Sequence, residues 1–295
     1  MQRVLLFGST GMVGNGIYRV LKDRHSLILP VRNLKKAELL ETYHGGLAQH
    51  TLIPFDALSI YQEYINKKGY PSAALSLLIN QVGTVDYVVN ALGVIPQAHH
   101  SDAETFFLNS AFPHILSRYF GSKLIHITTD CVFNGKEGAP YSEVSLKTPN
   151  DLYGLSKMLG EPSENSLVLR TSVIGRELGT SAGLLEWFLK VGKKGIEVNG
   201  FSHHIWNGVT NIHLGSICDT IMVQPKMFPK SGTYHVFSNP LSKFKILHKF
   251  EQKYHTDSTI VENGETALNR ELTTIHEFNH LLTIPPLDQM IEELP

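Results

Sequence analysis

The sequence predicts an α/β protein built on a doubly wound parallel sheet, followed by a smaller C-terminal lobe. Three observations predict it. Short apolar runs alternate with stretches of helical periodicity through the first 170 residues. The runs are nearly continuous in apolar residues, as parallel strands covered on both faces require. The first run breaks into a glycine triplet that leads straight into a helical pattern, as a βαβ unit does.

In order, Arg3–Phe7 reads as the first strand and 12–24 as the first helix. Further strands are expected at Ser26–Val31, 51–55, 85–91, 123–129 and 167–170. The helices between them are expected at 35–42, 58–66, 72–81 and 103–119. After residue 170 the rhythm changes: helical patterns at 182–191, 214–222, Lys243–Tyr254 and 287–294 are joined by longer loops rich in Gly, Asn, His and Pro. Residues 1–170 therefore read as a dinucleotide-binding Rossmann domain. Residues 171–295 read as mainly a substrate-binding lobe, partly interleaved with the sheet.

Charge excludes several partners. The 295 residues carry 26 Lys+Arg against 27 Asp+Glu, a net charge of −1. No basic field is left to hold nucleic acid or an anionic membrane. No apolar run approaches the roughly 20 residues of a membrane span, and the apolar stretch at 4–7 is too short for a signal-peptide core. Cys131 and Cys218 make no disulfide framework. The expectation is a soluble, reduced, cytoplasmic protein. Fifteen histidines invite a metal, but they are scattered; His99-His100 and His203-His204 lack i,i+4 ligand spacing, no CxxC occurs, and no metal site is expected.

Gly8-Ser9-Thr10-Gly11-Met12-Val13-Gly14 is a GxxGxxG at the first strand-to-helix turn. One glycine permits the turn, one lets backbone approach a pyrophosphate, and one packs helix on strand. The phosphates then meet a helix N-terminus. The end of the second strand, where an acid would hold ribose hydroxyls, carries Arg32 with Lys35 and Lys36 behind it. Arg32 suits a 2′-phosphate, which favours NADP(H) and leaves NAD(H) as the alternative; a solvated Arg32 is the plain reading. Asp56 is either a partner for the adenine amino group or a helix cap. Ala91, Leu92 and Gly93 follow the fourth strand and would bring backbone close to the cofactor.

Tyr153 and Lys157 are four apart on an expected helix opened by Pro149-Asn150-Asp151, so they share a face. An unperturbed Tyr titrates near 10, and a neighbouring ammonium favours the phenolate. YxxxK alone is weak. Thr129, at the end of the fifth strand, adds a hydroxyl over the same crevice, where ligands of open α/β sheets sit.

With GSTGMVG, VVNALG at 88–93, ITTDCVFNGKEG at 127–138, DLYGLSKMLGE at 151–161 and LRTSVIG at 169–175, the chain resembles the extended short-chain dehydrogenase/reductases. Within them it is most similar to the dTDP-4-dehydrorhamnose reductase-like group acting on nucleotide sugars. The resemblance covers about the first 175 residues and loosens beyond. It implies that Tyr153 donates a proton to a ketone oxygen, that Lys157 holds the nicotinamide ribose and tunes Tyr153, and that Thr129 hydrogen-bonds the same oxygen. Asn109, in LNSAFPHIL, resembles the Asn that supports the catalytic Lys through water; an ordinary helix-surface amide is the alternative. Val94, Asp130 and Cys131 would face the substrate. Cys131 stands where these reductases usually carry Tyr and the 4,6-dehydratases often carry Glu. A thiol without an activating base disfavours dehydration, so Cys131 reads as a packing or pocket-lining residue.

Trp206 and Asn207, within Gly200–Thr210, are candidates to stack on a base and read its edge, with Trp206 alternatively a core residue. Arg170 either contacts phosphate or pairs within the fold. Arg270 resembles a family Arg of the C-terminal lobe, against the plainer reading of a solvated side chain. The resemblance implies an oxidoreductase that uses NADP(H) to reduce a nucleotide-linked 4-keto-6-deoxy sugar for polysaccharide biosynthesis, and it allows a homodimer. A nucleotide-sugar epimerase and a non-catalytic NADP-binding regulatory subunit are the alternatives.

Overall fold

The computed structural model describes residues 1–66, 71–98, 100–192 and 195–295. Strand β1 (Arg3–Phe7) buries Val4, Leu5, Leu6 and Phe7, at about 1.5–3 kcal/mol for each such side chain. It leads into α1 (Met12–Leu21), then β2 (Ser26–Val31), α2 (Leu34–His44), β3 (Thr51–Pro54), α3 (Leu58–Ile65), α4 (Ala73–Val82) and β4 (Tyr87–Asn90). Next come α5 (Asp102–Phe106), a π-helical turn at Phe107–Ala111, α6 (Phe112–Phe120), β5 (Leu124–Thr129), α7 (Leu152–Leu159) and β6 (Leu167–Thr171).

The remainder comprises β7 (Val173–Ile174), α8 (Leu184–Gly192), β8 (Val198–Phe201), β9 (His204–Trp206), β10 (Val209–Thr210), α9 (Asn211–Val223), β11 (Gly232–His235), β12 (Leu241–Ser242), α10 (Lys243–Tyr254), β13 (Ile260–Asn263), β14 (Leu268–Asn269) and α11 (Leu287–Glu292).

Seven parallel strands form the main sheet in the order β11-β6-β5-β4-β1-β2-β3. One apolar cluster covers each face: Val4, Leu6 and Ile127 point into one, Leu5, Phe7 and Leu124 into the other. This alternation explains why the strands read as unbroken apolar runs. Strand order reverses between β1 and β4, so a crevice opens beyond their carboxyl ends.

Three features depart from the sequence reading. The first helix stops at Leu21, short of Arg24. The helix expected over 103–119 is interrupted by the π turn that contains Asn109. Strand β11 joins the sheet beside β6 although its residues, Gly-Thr-Tyr-His, form no apolar run, because this edge strand is only partly buried. The small sheets β12-β9-β14 and β13-β8 were equally silent in the sequence. Among the described residues no helix is long and apolar enough to cross a membrane.

Candidate active site

The glycine turn is a tight cradle in which the surrounding backbone leaves no room for a Cβ. Gly8 has φ +77°, and a Cβ there would stand 2.7 Å from the backbone of Ala91 and Leu92. A Cβ on Gly14 would stand 2.1 Å from the Gly8 carbonyl oxygen. Gly11 occupies the N-cap of α1, with no side-chain cap and no acid in the first turn. Those N–H groups therefore face the mouth of the turn with their partial positive charge intact. Thr10, Met12 and Val13 are partly buried, Val13 against the core, and the buried Ser9 hydroxyl has no partner among the described residues. The uncapped helix start and the orphaned Ser9 hydroxyl fit the pyrophosphate of a dinucleotide.

Across the crevice, the 91–94 turn is tied on three sides. Ala91 N–H bonds the Phe7 carbonyl at 3.1 Å. Asn90 Oδ1 accepts the Leu92 N–H at 3.2 Å, and Asn90 Nδ2 meets Nδ1 of the buried His126 at 3.1 Å. Asn109 holds Val94 at both backbone groups and bonds Ser156 Oγ at 3.0 Å. A Cβ on Gly93 would lie 3.6 Å from Asn109 Oδ1 and 3.7 Å from Lys157 Nζ. Asn109 is thus 1% exposed and braces turn against helix; it is not a helix-surface amide. The Val94 side chain is buried in the same core cluster as Phe107 and Leu108.

Helix α7 brings the reactive groups in. Asp151 accepts the Gly154 N–H at 2.7 Å as its N-cap, which fixes Tyr153 in the first turn. A Cβ on Gly154 would collide with the Cys131 carbonyl oxygen at 2.2 Å, so the helix lies against the end of β5. Lys157 is 4% exposed and bonds the Ile127 carbonyl at 2.8 Å. Burial pulls its pKa down to about 8, against a smaller opposing pull from Glu161. The expected lowering of Tyr153 is not found in the protein alone. Desolvation, with Cys131 and Asp130 beside it, pushes the phenol above its usual range, and contact with Thr129 pulls the other way. The phenol carries its proton at neutral pH, but burial makes it a weaker acid than a free tyrosine.

Asp130 is 4% exposed, and burial raises its carboxyl while Arg270 and the Thr129, Cys131 and Ser172 side chains oppose the rise. Cys131 is partly exposed; desolvation and Asp130 push its thiol up to about 12, so it is no nucleophile. Arg270 is not a solvated side chain: its Nη1 reaches Cys131 Sγ at 3.3 Å and its Nε bonds the Phe133 carbonyl at 3.1 Å. The signal for it was weak, an Arg just beyond the two-residue strand β14. His126, under the 91–94 turn, carried no signal at all.

Other candidates are placed differently. Arg32 is exposed at the end of β2, Lys35 is exposed and Lys36 partly exposed in α2, and α2 has no acid in its first turn. Asp56 Oδ1 accepts the Leu58 N–H at 3.0 Å, the capping alternative. Asn207 is 2% exposed, and its amide bonds the Leu272 backbone at both ends, at 2.7 and 2.8 Å. Trp206 is partly buried against the core beside Gly208. Arg170 pairs within the fold, with Glu161 and His235.

One histidine pair, His276 and His280, does have i,i+4 spacing. Residues 276–280 read His-Glu-Phe-Asn-His, the HExxH spacing. Their centre, Glu277–Asn279, is a 3-10 turn, not an α-helix, and His276 packs on Tyr234 at 5.0 Å between ring centres. His99 lies outside the described residues; among those described, no group of three or more His, Cys, Asp or Glu could hold a metal.

The RmlD substrate binding domain family matches residues 79–271, about two thirds of the chain and every catalytic candidate above. The chain belongs to this family. Among its relatives, the spore coat polysaccharide biosynthesis protein SpsK of Bacillus subtilis is 29% identical over 161 residues, 51% of this chain and 54% of that protein. The chain thus spans about half the length of that relative. A dTDP-4-dehydrorhamnose reductase of Aggregatibacter actinomycetemcomitans is 29% identical over 249 residues, 81% of this chain and 74% of that protein. The fold matches the crystal structure of dTDP-4-dehydrorhamnose reductase from Bacillus anthracis in complex with NADP, at TM-score 0.71 and 18% identity, covering 100% of this chain and 98% of that one.

Proposed function

We propose that this RmlD-family chain is an NAD(P)H-dependent reductase of a nucleotide-linked 4-keto-6-deoxy sugar, serving deoxysugar and polysaccharide biosynthesis. One observation carries the reading. Tyr153 contacts Thr129 at the end of β5, and Lys157, four residues on in the same helix, bonds the Ile127 carbonyl of that strand, with its Nζ 3.7 Å from where a Cβ on Gly93 would stand. In this reading Gly8, Gly11, Gly14 and the α1 N-terminus hold the cofactor's pyrophosphate, and Lys157 the nicotinamide ribose. The bound nicotinamide supplies a hydride to the carbonyl carbon. Tyr153, protonated at neutral pH, gives its proton to the carbonyl oxygen as negative charge develops there, against the burial that makes the phenol a weaker acid. Arg32 and Lys35, exposed with no neighbouring first-turn acid, favour NADPH through its 2′-phosphate. Residues 1–170 carry the cofactor, and 171–295 mainly shape the sugar-nucleotide pocket around Arg270.

The test is NADPH and NADH oxidation with dTDP-, UDP- and GDP-linked 4-ketosugars. Turnover with at least one, faster with NADPH, is the expected result. Tyr153→Phe should lower kcat by about a hundredfold or more while cofactor binding stays intact. Full turnover by that variant removes Tyr153 as the acid. A nicotinamide cofactor copurifying in near-stoichiometric amount, with interconversion of sugar epimers, would replace reduction by epimerisation.

A further inference from the structure

We propose that Asn15 and Asn211 are positioning residues: their buried carboxamides fix the first peptides of α1, and through them the N–H groups offered to a dinucleotide's pyrophosphate. The inference rests on the reading of the α1 start as the seat of that pyrophosphate. Asn15 lies in α1 and is 1% exposed; Asn211 opens α9 and is 2% exposed. Asn15 Nδ2 donates to the Gly11 carbonyl at 2.8 Å and to the Met12 and Arg176 carbonyls at 3.0 Å each. Asn211 Nδ2 donates to the Met12 carbonyl at 2.8 Å and reaches the Arg176 carbonyl at 3.5 Å. Two amides thus bridge the same two carbonyls, one at the start of α1 and one just beyond β7.

An amide carries two N–H hydrogens. With three carbonyls in reach, Asn15 shares one hydrogen between Gly11 and Met12, as groups at helix ends commonly do, and gives the other to Arg176. Its Oδ1 is left for Nε2 of His44, at 3.2 Å. Asn211 is held by shape as well. A Cβ on Gly16 would stand 2.5 Å from its Cγ and one on Gly175 2.1 Å from it, so the carboxamide fills the gap between α1 and the segment after β7. The consequence follows from the planar trans peptide, whose C=O and N–H point in opposite directions. The Gly11 carbonyl shares its plane with the Met12 N–H, and the Met12 carbonyl with the Val13 N–H. Holding the two oxygens therefore aims these two donors, which have no partner within the helix. Both Asn side chains sit at the carbonyl end of those peptides, so they act through the backbone and not by touching the cofactor. Asn211 belongs to the 171–295 part of the chain, which in this way completes the cofactor cradle.

Calorimetric titration of the full chain with NADPH and with NADH tests this. Asn211→Leu, which keeps the volume and loses both donors, should raise the Kd of the tighter cofactor about tenfold, with the number of binding sites per chain unchanged. A merely structural role gives the reverse pattern, fewer sites as the melting temperature falls and wild-type affinity at those left, and that result overturns the proposal. With a turned-over ketosugar, KM for the cofactor should rise with its Kd, while kcat at saturating cofactor and KM for the sugar stay within about twofold. A fall in kcat with cofactor KM unchanged overturns the proposal as well. If Asn211→Leu does not fold, Asn15→Ala is read in its place with the same expectations. A second readout needs no cofactor: in a crystal structure of the variant, the Met12–Val13 peptide should turn from its wild-type plane, and an unmoved peptide overturns the proposal. A wild-type chain that binds neither cofactor overturns the pyrophosphate reading instead.

Discussion

The carboxamide of Asn109 closes both backbone groups of Val94, accepting its N–H at 2.8 Å and donating to its carbonyl at 2.9 Å. The pair is buried, so neither group has water to fall back on. Asn109→Leu would strand both, at about 1–3 kcal/mol for each. The expected outcome is a clear loss in denaturant stability together with weaker cofactor binding, since the same turn presses on Gly8. Asn109→Leu binding NADPH as tightly as wild type would show that the clamp does not shape the cofactor crevice.

Gly14 gives a sharper test of the cradle. A methyl group there would sit 2.1 Å from the Gly8 carbonyl oxygen, and backbone, unlike a flexible side chain, has to move to relieve it. Gly14→Ala should cost about 1–3 kcal/mol of stability and abolish cofactor binding by opening the turn. Isothermal titration with NADPH and a melting curve measure both. A variant that melts normally and still binds would remove the glycine turn from the site.

Much of this was legible because it is local. Gly8 to Gly14, the helix opened by Asp151, and the four-residue spacing of Tyr153 and Lys157 are properties of short segments, and the sheet that unites them shows in its buried strands. What the sequence hid is non-local. Arg270 reaches Cys131 across 139 positions, and Asn207 pairs with Leu272 across 65, so neither fate is written in neighbouring residues. The phenol of Tyr153 was expected to be acidified by Lys157. Spacing gave their shared face but not their desolvation, and desolvation heads the causes for both groups.

Lys157 makes the site sensitive to alkali. Its pKa, drawn down to about 8 by burial, means the ammonium is lost over one unit either side of that value. A ribose-binding cation should therefore give kcat/KM for NADPH an alkaline limb near pH 8 in the free enzyme. Lys157→Arg, whose guanidinium does not titrate in this range, should flatten the limb while lowering the rate. A profile level to pH 10 in the wild type would mean that the charge on Lys157 is not used.

His235 makes the fold sensitive to acid. Its Nε2 faces the Arg170 guanidinium at 2.8 Å and its Nδ1 the Thr273 carbonyl at 2.7 Å, so the ring is neutral and donates through Nδ1. Burial first, and Arg170 second, lower its pKa from 6.5 to about 4. The unfolded chain thus takes up a proton below 6.5 that the folded one refuses until about 4, so stability falls as pH drops through that window. The full effect is on the order of 3 kcal/mol. Urea unfolding at pH 7 and pH 4.5 should show the drop, and His235→Gln should shrink it. The same drop in that variant would assign the acid sensitivity to other groups.

The thiols supply a test that separates packing from nucleophilic chemistry. Desolvation leads in raising both Cys131 and Cys218 to about 12, reinforced by the adjacent Asp130 and Asp219 carboxylates. At pH 8 the thiolate fraction of such a group is about one in ten thousand, against roughly a quarter for an unperturbed thiol. Iodoacetamide at pH 8 should leave activity intact over the time in which a small-molecule thiol is consumed. Cys131→Ser, which keeps a polar atom for Arg270, should retain most of the rate. Rapid inactivation with one alkyl group on Cys131 would mean that an activating cation, Arg270 being the group in contact, outweighs burial there, and Cys131 would return as a reactive residue of the site.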